Sequence, residues 1–98
     1  MENVEWLETA DEDLNQIYQY IYKDSIYYAN KTIIDIVDKT DILKTFKHSG
    51  RKVPEYNQEE IRELIYKSYR IVYYIQSDKI LIQRIWHAAR KMHNRVIS

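Results

Sequence analysis

The run from Ile61 to Arg90, IRELIYKSYRIVYYIQSDKILIQRIWHAAR, constrains the fold more than any other part of the chain. Ile61–Tyr66, Tyr69–Gln76 and Lys79–Trp86 are rich in Ile, Val, Tyr and Trp, side chains that suit a pleated, half-buried surface. Lys67-Ser68 and Ser77-Asp78 interrupt them with polar pairs of hairpin length, so neighbouring strands are expected to run antiparallel. Each strand carries one arginine among its apolar residues: Arg62, Arg70 and Arg84. Strict alternation puts Arg62 with Leu64 and Tyr66, Arg70 with Val72 and Tyr74, and Arg84 with Ile82 and Trp86. Which of these faces coincide depends on register. Guanidinium groups are rarely buried without partners, so the three arginines either form a basic face or are ordinary solvated strand residues.

The preceding residues supply the rest of one small domain spanning residues 1–98. Val4–Leu7 alternates like a first strand. Thr9 and Glu12 fit a capping box, after which Ala10, Leu14, Ile17, Tyr18 and Ile21 recur at helical spacing, predicting a helix over Ala10–Tyr22. Asp24 or Ser25 can cap a second helix with Ala29, Ile33, Ile36 or Val37, Thr40 and Leu43 on its inner stripe. That helix is expected to end near Phe46–His48, where Gly50 would supply a positive φ. The short gap between the helices predicts an antiparallel hairpin. Arg51–Asn57 reads as loop, because Pro54 argues against a central strand, and Met92–Ser98 as a basic tail of about one helical turn. The expected class is α+β: an N-terminal strand and a two-helix antiparallel hairpin packed on an antiparallel sheet completed by three C-terminal strands. The other sheet face should be at least partly open.

Charge is balanced overall, with 15 basic and 15 acidic side chains, but its placement is uneven. The first thirty residues are strongly acidic, whereas residues 79–98 hold Lys and Arg and no acid. Any polyanion site must therefore come from local clustering. The chain has no cysteine, which excludes disulfides, a thiol nucleophile and Cys-ligated zinc. Its N-terminus is acidic without an apolar h-region, and no apolar run reaches membrane-spanning length, so a soluble cytoplasmic protein without a membrane partner is expected. Phosphate loops are absent and His48, His87 and His93 are scattered, so neither cofactor nor metal is implied.

The constellation left to carry function is Arg62, Arg70, Arg84, His87 and Arg90, with Glu63 and Tyr66 nearby. A metal-free ribonuclease needs an acid, a base and cations for the phosphorane charge. His87 with a carboxylate could move protons while Arg62 and Arg70 hold the phosphate. Equally, the arginines could pair with the acidic helices or bind a partner protein. The end of the last strand and the tail, with Trp86, His87, Arg90 and Lys91, form a one-signed surface suited to an anionic target.

Four pieces together identify a resemblance. DEDLNQIYQYI, Gly50-Arg51-Lys52-Val53-Pro54-Glu55, IRELIYKSYRIVYYI and the last strand ending His87-Ala88-Ala89-Arg90 resemble, in this order, the ParE/RelE superfamily of toxins from type II toxin–antitoxin modules. The likeness covers roughly Val4 to Arg90. Asp13-Leu14, the Gly50–Glu55 loop and the His87-x-x-Arg90 ending look closer to ParE. The resemblance implies two N-terminal helices on an antiparallel sheet and a cognate antitoxin that wraps the toxin. For ParE-like members it further implies DNA gyrase as target, with Arg70, Arg84, Trp86, His87, Arg90 and Lys91 as contact residues. For RelE-like members it implies ribosome-dependent cleavage of mRNA, with Arg62, Arg70 and His87 as the residues available for it.

Overall fold

The computed structural model describes residues 2–88. Five strands, β1 (Asn3–Trp6), β2 (Arg51–Lys52), β3 (Ile61–Tyr66), β4 (Tyr69–Ile75) and β5 (Lys79–His87), form one sheet in the order β1-β5-β4-β3-β2. Two helices, α1 (Glu8–Tyr22) and α2 (Ile26–Lys39), follow β1, and α2 tightens into a 3-10 segment over Thr40–Lys44. The β3-β4-β5 meander matches the sequence expectation almost residue for residue, because period-two alternation and short polar turns fix it locally. Lys67 takes a positive φ of 51° in the β3–β4 turn.

Four local expectations give way to longer-range contacts. The sheet is mixed, since β1 pairs parallel with β5, Asn3 opposite Lys79 through Trp6 opposite Ile82. A long crossover permits that pairing where a hairpin would not. Helix α1 starts two residues earlier than the proposed capping box. Leu7 occupies the N-cap without a side-chain bond, and Thr9 Oγ1 instead donates to Gln83 O of β5 at 2.7 Å. Ser25 does cap α2, accepting from Tyr28 N at 3.1 Å. The α-helix then stops at Lys39 rather than near Phe46, although Thr40 and Leu43 still complete its buried stripe. Gly50 is required for closeness and not for a positive φ. A Cβ there would sit 2.5 Å from Glu63 O and 2.7 Å from the Tyr73 hydroxyl.

A fifth departure decides which side chains share a face. Val72 lies opposite Arg84 but Tyr73 lies opposite Ile82, so Gln83 is an extra residue in β5. Ile80 and Ile82 therefore share the helix-covered face with Ile85, while Arg84 and Trp86 point with Val72 to the other side. The alternation that grouped Ile82 with Arg84 and Trp86 breaks at this bulge.

The main core lies between helices and sheet, where Ala10, Ile36 and Leu43 meet Leu64, Ile71, Tyr73, Ile80, Ile82 and Ile85. A smaller cluster of Val53, Ile61, Val72 and Trp86, flanked by Tyr56 and Tyr74, occupies the opposite face. The residue 53–60 loop supplies Val53 and Tyr56 to it, so that face is partly covered. Arg51–Lys52 adds a two-residue edge strand where only loop was expected. Its site next to Pro54 respects the rule that proline stays at sheet edges.

Candidate functional site

Register places the three strand arginines in three different environments. Arg70, on the loop-covered face, is buried at 8% exposure and is the centre of an ionic cluster. Its Nε donates to Glu63 Oε1 at 2.6 Å, and its two terminal nitrogens reach Glu55 at 2.9 and 2.8 Å. The fully buried Glu63 carboxylate also accepts from Arg51 Nε at 2.7 Å, since Arg51 stands directly across from it on β2. Bidentate and charge-assisted bonds of this kind are short and directional. The Arg70 guanidinium, by hydrogen bonding, holds the Glu55 carboxyl below its ordinary range, and Glu55 in turn raises Arg70.

Arg62 points to the helix-covered face, beside Tyr73. It bonds Glu59 Oε2 at 2.6 Å, Glu59 O at 2.9 Å and Gly50 O at 2.8 Å, closing the base of the 50–60 loop. Tyr73 completes that closure: its hydroxyl accepts from Gly50 N at 3.0 Å and donates to Lys47 O at 2.9 Å. Burial pushes the Tyr73 phenol up.

Arg84 sits beside Asp13 of α1, with Nε at 2.8 Å and Nη2 at 3.1 Å from the carboxylate. Asp13 Oδ2 also accepts from Ile85 N at 2.9 Å. Because β1 ends opposite Ile82, the edge of β5 beyond it has no strand partner among the described residues. Thr9 and Asp13 bond that backbone from the helix. The hydrogen-bonded Asp13 raises Arg84, whose guanidinium also lies 5.6 Å from the Trp86 ring. The basic face considered from sequence is thus replaced by internal ion pairs on both sides of the sheet. The pairing with an acidic helix, considered alongside it, describes Arg84.

His87 lies apart from the Arg62 and Arg70 clusters and shares a groove with Asp13, the partner of Arg84. It packs edge-on against Tyr69, ring centroids 5.5 Å apart, in a groove of about 580 Å³ lined also by Asp13, Gln16, Ile17, Tyr20 and Ile85. Arg62, Arg70 and His87 therefore do not converge: Arg62 closes the loop base, Arg70 lies across the sheet from the groove, and His87 lines it. Trp86 is buried in the smaller cluster, so it supports the surface from beneath. Arg90 and Lys91 lie outside the described residues. Tyr66, near the proposed constellation, donates to Asp35 of α2 at 2.6 Å, which pushes its own pKa up to about 12.

Sequence reasoning named Asp13 and Glu55 only as parts of family motifs and missed their pairing with Arg84 and Arg70. Asp13 alone could have been suspected, since an acid on the inner side of an otherwise apolar helix stripe must find a partner. The helix hairpin also leaves large apolar side chains in water: Tyr20 is 72% exposed, Tyr27 65% and Ile34 57%, with Ile26, Tyr28 and Phe46 similarly open.

This fold, a two-helix hairpin on one face of a small mixed sheet with a C-terminal meander, is that of a known class of compact toxins. A protein described as the chromosomal ParDE TA system from P. aeruginosa superposes with a TM-score of 0.74 at 24% identity, covering 89% of this chain and 96% of that one. The sequence profile described as ParE toxin of type II toxin-antitoxin system, parDE, matches residues 4–92, and the chain belongs to that family. No curated protein sequence matches it. Among the described residues, no helix is long and apolar enough to cross a membrane.

Proposed function

We propose that this ParE-family toxin arrests growth by binding DNA gyrase, without chemistry of its own, and that a cognate antitoxin neutralises it. The observation carrying this reading is the commitment of Arg62, Arg70 and Arg84 to acceptors within the chain, on separate parts of the sheet. Phosphoryl chemistry needs cations converging on one developing charge next to a proton-transfer group; here Arg62 and Arg70 lie away from the groove that His87 lines, and Arg84 is neutralised by Asp13 at its edge. A binding toxin has no such requirement. The antitoxin would cover the exposed Tyr20, Tyr27 and Ile34 of the helix hairpin, since several large apolar side chains left in water on one hairpin suit a protein interface. His87 and the basic residues Arg90 and Lys91 would meet the target.

Two assays run on the purified protein test the reading: gyrase supercoiling, and a translating extract with an mRNA readout. Supercoiling should be inhibited while mRNA stays intact, and Arg90→Glu with Lys91→Glu should relieve the inhibition. Cleavage of mRNA at codon boundaries, lost in His87→Gln, would instead establish the RelE-like ribosome-dependent nuclease. Adding the antitoxin encoded beside the toxin should restore supercoiling and protect α1 and α2 from hydrogen exchange.

A further inference from the structure

We infer that the loop-covered face holds a carboxylate-recognition site for an acidic partner segment, and that Glu55 is its built-in occupant. Arg70 divides its guanidinium between two carboxylates of different standing. Glu63, wholly buried, takes Nε, whereas Glu55, with a side chain 46% exposed, takes the outer fork from an irregular loop. Glu63 is already shared between Arg51 and Arg70, so before Glu55 is counted the cluster carries two cations and one anion. The loop carboxylate makes up that difference.

A second fork stands beside it. Among the described residues, Arg51 uses only Nε, and its two terminal nitrogens have no hydrogen-bond partner. Arg51, Arg70 and Glu55 line one open pocket of about 430 Å³ together with Pro54 and Ile65, and Ile65 is a large apolar side chain left 44% exposed. Two guanidinium forks beside an apolar shelf suit a carboxylate carried on a peptide next to an aliphatic residue. The occupant already present has this chemistry, a glutamate on a non-regular acidic stretch that continues to Glu59 and Glu60. A partner's acidic segment would engage Arg51 first and then exchange with Glu55 on Arg70. This site lies across the sheet from the helix hairpin, and it stands or falls independently of the gyrase reading.

The test uses the full-length protein and residues 53–60 as a separate N-acetylated peptide. Glu55→Gln keeps the loop but withdraws its charge. It should bind the peptide at least tenfold more tightly than the wild type does. Replacing the first glutamate of the peptide by glutamine, or adding Arg51→Gln to the protein, should each remove that gain. Equal affinity of wild type and Glu55→Gln would overturn the proposal, as would indifference to the peptide's glutamate. Tighter binding of a uridine hexanucleotide than of the peptide would also overturn it, in favour of a phosphate site. If Glu55→Gln does not fold, the wild type is titrated with the peptide while the Arg70 Nε–H resonance is followed. A saturable shift supports the exchange, and an unmoved resonance at saturating peptide overturns it.

Discussion

The two faces of the sheet are held by opposite physics. On the helix-covered face Ile36, Leu43, Ile71, Ile80 and Ile82 are fully buried, and burial of a large aliphatic side chain contributes about 1.5–3 kcal/mol. On the loop-covered face the apolar cluster is small, and the irregular segment is fastened by Arg51, Glu63, Arg70 and Glu55. Apolar packing is non-directional and tolerates sliding, whereas paired forks specify one register. The helix face therefore supplies most of the cohesion, and the loop face fixes where an edge strand and a loop must sit.

The sharpest way to break this contrast is Glu63→Ala, which takes from the buried Arg70 Nε its carboxylate partner and leaves only the Glu55 fork. Losing one partner of a buried pair costs about 3–5 kcal/mol, and chemical denaturation should show a loss in that range. A loss below about 1 kcal/mol would mean that water reaches the cluster freely. Ile71→Ala tests the other face and should cost about 2–5 kcal/mol through lost burial and a residual cavity.

Smaller effects sharpen the comparison through pH. Glu55→Gln should cost about 1 kcal/mol near neutrality, a charge-assisted bond discounted for its half exposure. The Glu55 carboxyl is held below its ordinary value of 4.5, so its contribution is fully present above that pH and is lost as pH falls through the lowered value. Melting curves of wild type and Glu55→Gln should thus converge in acid. A gap that does not narrow at all as the medium is made acid would contradict the assignment. Tyr66→Phe should give the smallest change and the opposite sign. The Tyr66 phenol is raised from 10 to about 12 by its bond to Asp35, so the wild type's advantage is complete below pH 10 and fades as pH rises towards 12.

The meander, the helix hairpin and the buried stripe of α2 were legible in sequence because each follows from local periodicity. What escaped required contacts between distant residues. Thr9 looked like a cap because Glu12 follows three positions later, yet the β5 carbonyl at Gln83 competes for its hydroxyl. Arg51–Lys52 is too short and too charged to read as a strand until Glu63 lies opposite it. The bulge at Gln83 leaves no mark in composition, and it alone decides which way Arg84 and Trp86 point. The family resemblance was legible from motif order, while the pairing of Arg70 with Glu55 across the loop was not. Two of the named contact residues, Arg90 and Lys91, lie beyond the described residues.

The parallel pairing of β1 with β5 bears on when this toxin can become harmful. The first strand emerges from the ribosome early, but its partner is the last of the five described strands to be made, and non-local pairings form only after the intervening chain is available. Thr9 and Asp13 wait for the same strand. A nascent chain stalled before Lys79 should therefore leave β1 and the start of α1 unprotected in pulse proteolysis, with protection arriving only once β5 has cleared the exit tunnel. Protection of the N-terminus in the shorter stalled chain would refute this. Synthesis itself then acts as a delay, giving an antitoxin made alongside time to accumulate before the poison it must meet has taken shape.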